Sequence, residues 1–382
     1  MNKTGKIIVG VVVIIVVIAL IVWGILETKQ PTGPATGEPI KIGWIGSLTG
    51  DVANLGENAR AATEIAVAEV NAAGGINGRP LELIYEDGKC SGKESINAAN
   101  KLINIDNVNV IIGGLCSGET AGFVKTAMEQ KRIVFSYCSS NPALSNSGAY
   151  FFRDYPSDNF QGGYAANYIY NDLGKRKMAV IFVQNDWGVG IKDVFVKKFK
   201  DLGGQILAEE PVNQGDKDLK TQLTKIKELK PELIYFLGLT EETIAGLRQA
   251  RELDINIPFF GGDPWDETRI WESLDKMADG AMYTIPYAPL NDHFKKAMQE
   301  KLGKEDILMC SPGAYDAVKI LSMIIARVGV DPDKIKNELH NMKPYTQGVS
   351  GQSISFDQNG DMKEASYMVK IIKDGKAVEH KK

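Results

Sequence analysis

The sequence predicts an α/β protein of two doubly wound lobes, each a parallel sheet covered by helices on both faces. Short, almost continuously apolar runs of strand length alternate along the chain with longer amphipathic runs of helical period. This series begins near Ile40, breaks around residues 153–156 and begins again at Met178. Because one such series fills one sheet, the restart indicates two similar lobes, although the sequence contains no close internal repeat.

Composition sets the first limits on function. The chain has 382 residues, of which 44% are hydrophobic and 24% charged, so it can bury two substantial cores. Its formal net charge is −4 and it contains no long basic stretch. Nucleic acid is therefore not a predicted partner.

The N-terminal segment predicts a membrane anchor. Residues 7–26 carry no charge and are rich in Val and Ile. A helix of that length spans about 30 Å, the thickness of a bilayer core, so we predict an uncleaved transmembrane helix over residues 1–26. Lys3 and Lys6 precede it and place the bulk of the protein outside the cytoplasm. A cleaved signal peptide is the alternative, with the same outside location. Residues 27–39, rich in Pro, Gly and Thr, predict an extended linker.

The first series predicts a lobe of alternating strands and helices. We expect strands at 41–46, 81–86, 108–112 and 133–136, and helices at 55–73, 93–104 and 119–131. The second series predicts strands at 178–183, 205–209, 233–237 and 281–285, and helices at 189–202, 219–229 and 241–253.

The last hundred residues are less regular. Helices are predicted at 292–302 and 314–328, and an antiparallel pair of strands at 353–356 and 367–372. Between that pair, the turn from Asp357 to Gly360 has the Asp, Asn and Gly content of a calcium loop. It lacks the closing Glu, so we expect a hairpin turn and no metal site.

The turn after the third strand is the strongest candidate site. Gly113 and Gly114 end a β-branched run, and the chain enters a helix through Leu115, Cys116 and Ser117. A tight turn of this kind leaves N–H groups unpaired at a helix N-terminus, where the helix dipole favours negative charge. We therefore predict a cradle for a carboxylate or phosphate, to which Ser117 adds a hydroxyl.

A hydrolase with Cys116 as nucleophile is the competing hypothesis. The turn also fits Gly-x-Cys-x-Gly, a cysteine form of the nucleophile elbow. A nucleophilic thiol needs a base, and none of the three histidines, His293, His340 and His380, follows a predicted strand. We therefore predict no catalytic residue.

The cysteines are expected to be oxidised in an extracytoplasmic setting. Three pairings of the four are possible from the sequence. Cys90 and Cys116 both follow strands of the predicted first lobe and are candidate partners. Cys138 and Cys310 could pair, remain buried as thiols or be reactive, and spacing does not choose among these.

Six segments carry a family resemblance, in order: KIGWIGSLTG at 41–50, NAAGGING at 71–78, GLCS at 114–117, SSNPAL at 139–144, LRQA at 247–250 and YDAV at 315–318. Together they resemble the branched-chain amino-acid-binding proteins of ABC importers, over about residues 40 to 372. The resemblance implies the type I periplasmic-binding-protein fold, in which three crossovers form a hinge between the lobes. If this chain is divided as the family is, lobe I comprises 40–155 plus 287–346, and lobe II comprises 156–286 plus 347–382.

The resemblance also implies a ligand head group. Ser117 would meet the α-carboxylate of an amino acid. In the turn after the fourth strand, Ser139 and Ser140 would lie at the ligand head, with Ser140 in contact and the carbonyl near Cys138 receiving the ammonium. Asp263 would be the acidic partner of that ammonium.

The rest of the implied site concerns the side-chain pocket and the disulfide. Asp263 stands where the family usually has Glu, whose side chain is one methylene longer. Asp186 and Asp266 are nearby carboxylates that could take the place of Asp263 as the partner of the ammonium. Leu55, Trp187 and Leu239 occupy positions where the family tends to place aromatic residues, which predicts a mostly apolar wall for an aliphatic side chain. The family's disulfide matches Cys90 and Cys116.

The implied function is capture of an amino acid, with branched-chain or aliphatic ligands favoured, and delivery to the permease and ATPase subunits of an ABC importer. No cofactor or metal is expected. A receptor ectodomain that senses amino acids or amides is the alternative function on the same fold.

Overall fold

The computed structural model describes residues 35–380. The predicted anchor at 1–26 and most of the predicted linker lie outside the described residues. Within 35–380, no helix is both long enough and apolar enough to span a bilayer.

The first sheet is built from the first βα series. Its strands are β1 (Ile40–Gly46), β2 (Leu81–Asp87), β3 (Val110–Ile112), β4 (Ile133–Ser136) and β5 (Phe151–Arg153), separated by helices α1 (Ala53–Ala72), α2 (Gly92–Asn104) and α3 (Ser117–Glu129). All pairings are parallel, in the order β2-β1-β3-β4-β5. The central strands β3 and β4 are buried along their whole length, which explains why they are continuously apolar.

The second sheet has seven strands. These are β6 (Lys177–Val183), β7 (Gln205–Val212), β8 (Leu233–Leu237), β9 (Phe259–Gly261), β10 (Met282–Pro286), β11 (Tyr367–Lys373) and β12 (Lys376–Glu379). Their order is β12-β11-β10-β9-β8-β6-β7, parallel from β7 to β10 and antiparallel beyond. The accompanying helices are α4 (Asp158–Asn167), α5 (Asp186–Asp201), α6 (Lys220–Leu229), α7 (Thr240–Glu252) and α8 (Thr268–Leu274). A π-helical turn, Tyr168–Asp172, continues α4.

The chain returns to the first sheet after β10. Helices α9 (Asp292–Leu302), α10 (Ser311–Val328) and α11 (Pro332–Asn341) follow, and α10 packs along α1. The buried face of α1 is made of small residues such as Ala59, Ala62 and Ala66, so the two helices can approach closely. We call the first sheet with these helices lobe I and the second sheet with its helices lobe II. The chain therefore crosses between the sheets after β5, after β10 and before β11.

Sequence periodicity located most elements. Every predicted helix and strand other than 353–356 lies within three residues of an observed one at each end. The unpredicted strands β5, β9 and β12 have only three or four residues each, too short to show alternation. Helices α4, α8 and α11 were also missed. At the start of α11 a signal was present, since Asp331 accepts from the N–H of Lys334 as an N-cap and Pro332 follows at the first helical position.

The predicted antiparallel pair at 353–356 and 367–372 is wrong. Strand β11 pairs instead with β10 and β12. In the 353–356 segment, Ile354 forms an isolated bridge with Tyr345, and Phe356 forms one with Met362. The hairpin turn between Asp357 and Gly360 is confirmed, because the Phe356–Met362 bridge flanks it and Asp357 Oδ1 accepts from the N–H groups of Asn359 and Asp361.

Residues up to 362 pack with lobe I, whereas the family resemblance implies a boundary between the lobes at 347. The ring of Phe356 contacts those of Phe135 and Phe152 edge-on, both at 5.5 Å between centroids. Arg153 Nε at the end of β5 forms an ion pair with Asp361 at 2.6 Å. This aromatic cluster and buried ion pair hold the segment against β4 and β5, so the boundary falls after residue 362.

Truncating Phe356 should therefore destabilise lobe I. We expect Phe356→Ala to lower the free energy of unfolding by about 3–5 kcal/mol, because a side chain that is 1% exposed leaves a cavity against two rings. Chemical denaturation followed by circular dichroism measures the change. Phe160→Ala is the matched control, since Phe160 is 39% exposed on lobe II and should change stability by less than about 1 kcal/mol. Equal losses in the two variants would contradict this packing.

Candidate functional site

A cavity of about 100 Å³ lies between the carboxyl ends of the two sheets. Lobe I contributes Val52, Leu55, Cys90, Gly92, Leu115, Cys116, Ser117, Gly118, Cys138, Ser140 and Met309, and lobe II contributes Asn185, Asp186, Trp187, Leu239, Asp263 and Pro264. Of the predicted site residues, all except Ser139 line this cavity. Because the walls come from both lobes, the cavity exists only when the lobes are together.

Ser139 is buried beneath the cavity wall. Its hydroxyl is 3.1 Å from the carbonyl of Gly114 and 2.8 Å from Oγ1 of Thr120, and its carbonyl accepts from Arg153 Nη1 at 3.1 Å. Ser139 therefore joins the turns after β3 and β4, and its side chain does not face the cavity.

Glu119 organises the turn after β3 and was missed in the sequence. Its fully buried carboxylate accepts from the N–H groups of Leu115 (2.8 Å), Cys116 (3.1 Å) and Cys90 (2.8 Å), and from the hydroxyl of Ser47 (2.9 Å). Burial raises the pKa of Glu119, and these four donors offset that effect in part. A signal was present, since Cys116-x-x-Glu119 has the spacing of a capping box with Cys in place of Ser or Thr.

The anion cradle therefore has fewer free N–H groups than the sequence predicts. The N–H of Gly114 donates to Thr120 Oγ1 at 2.9 Å, and Glu119 occupies those of Leu115 and Cys116. The N–H groups of Ser117 and Gly118, at the first turn of α3, find no acceptor within residues 35–380. The hydroxyl of Ser117 accepts from the N–H of Asn141 at 3.1 Å, so its own proton is available. Two N–H groups and one hydroxyl at a helix N-terminus suit a carboxylate.

Asp263 places a carboxylate in the opposite wall of the cavity. It follows β9 and is 1% exposed. Its Oδ2 accepts from the hydroxyl of Tyr155 at 2.5 Å, while Oδ1 has no hydrogen-bond partner in the described part of the chain. Burial raises the pKa of Asp263 to about 6, and the Tyr155 hydrogen bond opposes that rise. An unpaired buried carboxylate oxygen invites a cation or another hydrogen-bond donor.

Ser140 presents an acceptor to the same cavity. Its hydroxyl donates to Oδ2 of Asp158 at 2.8 Å, so its lone pairs remain for a ligand. Asp158 was not singled out in the sequence, because only the fold brings the start of α4 under the turn after β4. Cys138 also lines the cavity, and its carbonyl accepts from no donor of the described chain. Asp263, on lobe II, and Ser140 and Cys138, on lobe I, therefore supply acceptors to the cavity in which Ser117 and Gly118 supply donors.

Asp186 and Asp266, the two alternatives to Asp263, differ in position. Asp186 lines the cavity but is exposed. Asp266 lies outside the cavity, where its Oδ1 accepts from the hydroxyl of Tyr283 at 2.5 Å and from Lys370 Nζ at 2.7 Å. Asp263 is thus the buried carboxylate of the cavity wall.

Most of the remaining wall is apolar, and its polar residues are Asn185 and Asp186. Leu55, Trp187 and Leu239 line it as predicted, and Val52, Pro264 and Met309 complete it. Nothing in the local sequence marks Met309 as a site residue, because it reaches the cavity from the distant loop before α10.

Both pairs of cysteines form disulfides. The Cys90–Cys116 bond, implied by the resemblance, is present and lies in the cavity wall. Cys138 and Cys310, left open by the sequence, are joined to each other, and this bond holds the Met309 loop beside the turn after β4. The described residues include no free cysteine. Cys116 therefore has no thiol with which to act as a nucleophile.

Hydrogen bonds across the cleft hold the lobes in a closed arrangement. Asn54 Nδ2 donates to Glu267 Oε1 at 2.9 Å, and Thr268 Oγ1 donates to Asp306 Oδ1 at 2.8 Å. Nearer the cavity, Asn141 Nδ2 donates to the carbonyl of Asp186 at 2.5 Å. The structure therefore shows the site in its assembled form.

Comparison with known proteins agrees with this geometry. A family model described as periplasmic binding protein matches residues 39–376. The leucine-, isoleucine-, valine-, threonine- and alanine-binding protein of Pseudomonas aeruginosa is 29% identical over 342 residues, which cover 87% of this chain and 89% of that relative. A leucine-binding protein from Thermotoga maritima superimposes with a TM-score of 0.83 at 29% identity, covering 90% of this chain and 98% of that chain.

A second solved structure shows the same likeness. The branched-chain amino acid transporter substrate-binding protein of Streptococcus pneumoniae, determined with isoleucine, has a TM-score of 0.81 at 26% identity, with 90% and 100% of the two chains covered. The resemblance predicted from the six sequence segments is confirmed.

The buried carboxylate of Asp263 should destabilise the empty protein at neutral pH. Its pKa is raised from 3.8 to about 6, so the folded state holds this proton more tightly than the unfolded state does. The contribution of Asp263 to stability is therefore most favourable below pH 4 and falls as pH rises through 6, by up to about 3 kcal/mol. We expect Asp263→Asn to raise the melting temperature at pH 7.5 and to change it little at pH 4. Asp186→Asn, at an exposed carboxylate, is the control and should have no such pH-dependent effect. A loss of stability in Asp263→Asn at both pH values would contradict the assignment.

Proposed function

We propose that this chain, which belongs to the periplasmic binding protein family, is the extracytoplasmic component of an ABC importer and captures an amino acid between its two lobes. The family consists of solute-binding proteins, not enzymes. The observation that carries the proposal is the division of the cavity's polar groups into donors, at Ser117 and Gly118, and acceptors, at Asp263, Ser140 and Cys138.

This division is complementary to a zwitterion. An ammonium group moved out of water without a partner costs several kcal/mol, and the unpaired Oδ1 of Asp263 removes that cost. The carboxylate at the other end of the ligand gains the N–H groups at the start of α3. Since the donors lie on lobe I and Asp263 lies on lobe II, one small zwitterion engages both and stabilises closure.

An aliphatic side chain fits the rest of the cavity best. The wall beyond the head group is made of Leu55, Leu239, Met309 and Pro264 with one large ring, that of Trp187. Such a surface stabilises a branched apolar group by excluding water and offers little to a charged one. The names of the relatives point to the same ligands, leucine, isoleucine and valine. The short side chain of Asp263 is held toward the cavity by Tyr155, which compensates for the missing methylene.

The membrane arrangement follows from the N-terminal sequence. Residues 7–26 form an uncharged run of membrane-spanning length, and the linker at 27–39 separates it from β1. In this proposal the run anchors the binding lobes at the outer face of the membrane, close to the permease that receives the ligand and the ATPase that drives transport.

Removing the charge of Asp263 should abolish amino-acid binding. In titration calorimetry with leucine at pH 7.5, we expect Asp263→Asn to bind at least one-hundred-fold more weakly, because the ammonium loses its counter-ion. In the unmodified protein the affinity should fall as pH drops below about 6, where Asp263 becomes protonated. Asp201→Asn, at an exposed carboxylate at the other end of α5 from the cavity, should retain nearly full affinity. If Asp263→Asn bound leucine within three-fold of the unmodified protein, Asp263 would not be the ammonium partner.

Asp158 should act on the ligand through Ser140. Ser140→Ala is expected to weaken leucine binding by about ten-fold, since one hydrogen bond to a charged group is lost. Asp158→Asn should also weaken it, because an amide can donate to Ser140 and turn the serine proton toward the ammonium. The double variant should bind as Ser140→Ala does, since the effect of Asp158 requires the serine. Calorimetry on the three variants measures this coupling, and additive losses would show that Asp158 acts by another route.

A further inference from the structure

A second cavity, of about 130 Å³, lies at the hinge. All three crossovers contribute to its lining. Tyr155 and Pro156 come from the crossover after β5, Pro286 and Tyr287 from the one after β10, and Met368 lies just after the one that precedes β11. Tyr287 is 39% exposed and marks the side open to solvent. Met309 lines this hinge cavity and the amino-acid cavity, so it separates the two.

Asp154 is the unexplained polar group of the hinge cavity. It is 1% exposed, and neither of its carboxylate oxygens has a hydrogen-bond partner among the described residues. Its Oδ1 lies against Gly313, in the first turn of α10, which also lines the cavity. Burial raises the pKa of Asp154 well above its usual range, and the nearby charge of Asp316 adds to the rise. A buried carboxyl with no partner is costly unless a ligand supplies one.

The neighbouring charges do not satisfy Asp154. The cavity also contains Lys370, but its ammonium is held by Asp266 at 2.7 Å. Asp316 is engaged through Oδ2, which accepts from the N–H groups of Val349 and Ser350 and from the Ser350 hydroxyl. The hinge cavity therefore has an unpaired carboxylate and no unpaired cation from the described chain.

Apart from Asp154, the paired Asp266 and Lys370, and Ser350, the hinge cavity is mostly apolar, and this selects the body of a ligand. Ile285, Ile307, Met309 and Met368 are among the apolar residues that line it. A cavity of about 150 Å³ in another protein holds one benzene molecule, so about five or six non-hydrogen atoms fit here. The complementary molecule has a single cationic, hydrogen-bond-donating head and a short hydrocarbon tail.

We propose that the hinge cavity is a second ligand site, which binds a small alkylammonium ion with Asp154 as its counter-ion. A cation in contact keeps the Asp154 carboxylate ionised. Because the walls come from both lobes, the site is complete only when the lobes are closed. An occupant therefore stabilises closure, and by linkage it raises the affinity of the first cavity, a consequence that rests on the proposed function.

Titration with n-butylammonium chloride tests the site. The full chain is titrated in a calorimeter at constant ionic strength, and the same is done for Asp154→Asn, Met368→Trp and Asp263→Asn. We expect binding to the unmodified protein and to Asp263→Asn, and at least ten-fold weaker binding to Asp154→Asn, which lacks the counter-ion. Met368→Trp fills the cavity from lobe II without altering Asp154 and should lose binding as well. n-Butanol, a neutral probe of the same length, should bind the unmodified protein at least ten-fold more weakly.

The controls separate this site from the amino-acid cavity. Asp154→Asn should keep its affinity for leucine, which shows that the variant is folded and that the first cavity is intact. Butylammonium should raise the leucine affinity of the unmodified protein and leave that of Asp154→Asn unchanged. The proposal is overturned if butylammonium does not bind, if Asp154→Asn binds it as well as the unmodified protein does, or if Asp263→Asn loses it. The last result would place the amine in the first cavity.

Discussion

The buried carboxylate of Glu119 is the interaction on which the site depends. Its four hydrogen bonds join the end of β1 at Ser47, the loop at Cys90 and the turn at Leu115 and Cys116. The Cys90–Cys116 disulfide closes the same junction covalently. With these groups held together, α3 begins at Ser117, and the N–H groups of Ser117 and Gly118, two residues that line the cavity, find no acceptor among residues 35–380. A turn held in this way needs no reorganisation to bind an anion, so less of the binding free energy is lost in ordering.

Whereas the turn on lobe I offers hydrogen-bond donors, lobe II offers carboxyl oxygens that are only partly paired. Oδ1 of Asp263 and Oδ1 of Asp158 are both buried without partners among residues 35–380. Each raises the free energy of the closed, empty protein, because a buried carboxyl oxygen without a hydrogen-bond partner has lost its hydration. A ligand ammonium offsets that cost for Asp263, and closure is therefore favourable when the ligand is present. Binding sites commonly reduce stability for this reason.

The hinge connects the two cavities physically. Tyr155 lies in the first crossover, where its ring lines the hinge cavity while its hydroxyl holds Asp263 in the amino-acid cavity. Met309 lines both and is held in place by the adjacent Cys138–Cys310 disulfide. A change in the angle between the lobes must therefore alter both cavities together. This common boundary gives a structural basis for coupling between two bound ligands.

The sequence by itself determined the local architecture and the position of the site. Strands such as β6 and β8 and helices such as α9 were found from periodicity, because the repeat of a strand or helix is a property of the local backbone. Strand-end turns marked Ser117, Trp187 and Asp263, and the family resemblance assigned their roles. Only the tertiary structure decided which groups compete for each hydrogen bond: Glu119 takes three N–H groups, Asp158 takes the proton of Ser140, and Ser139 turns away from the cavity. It alone also paired Cys138 with Cys310, 172 residues apart, and placed Phe356 on lobe I. Such contacts depend on where distant segments meet in space, and sequence spacing carries no record of that.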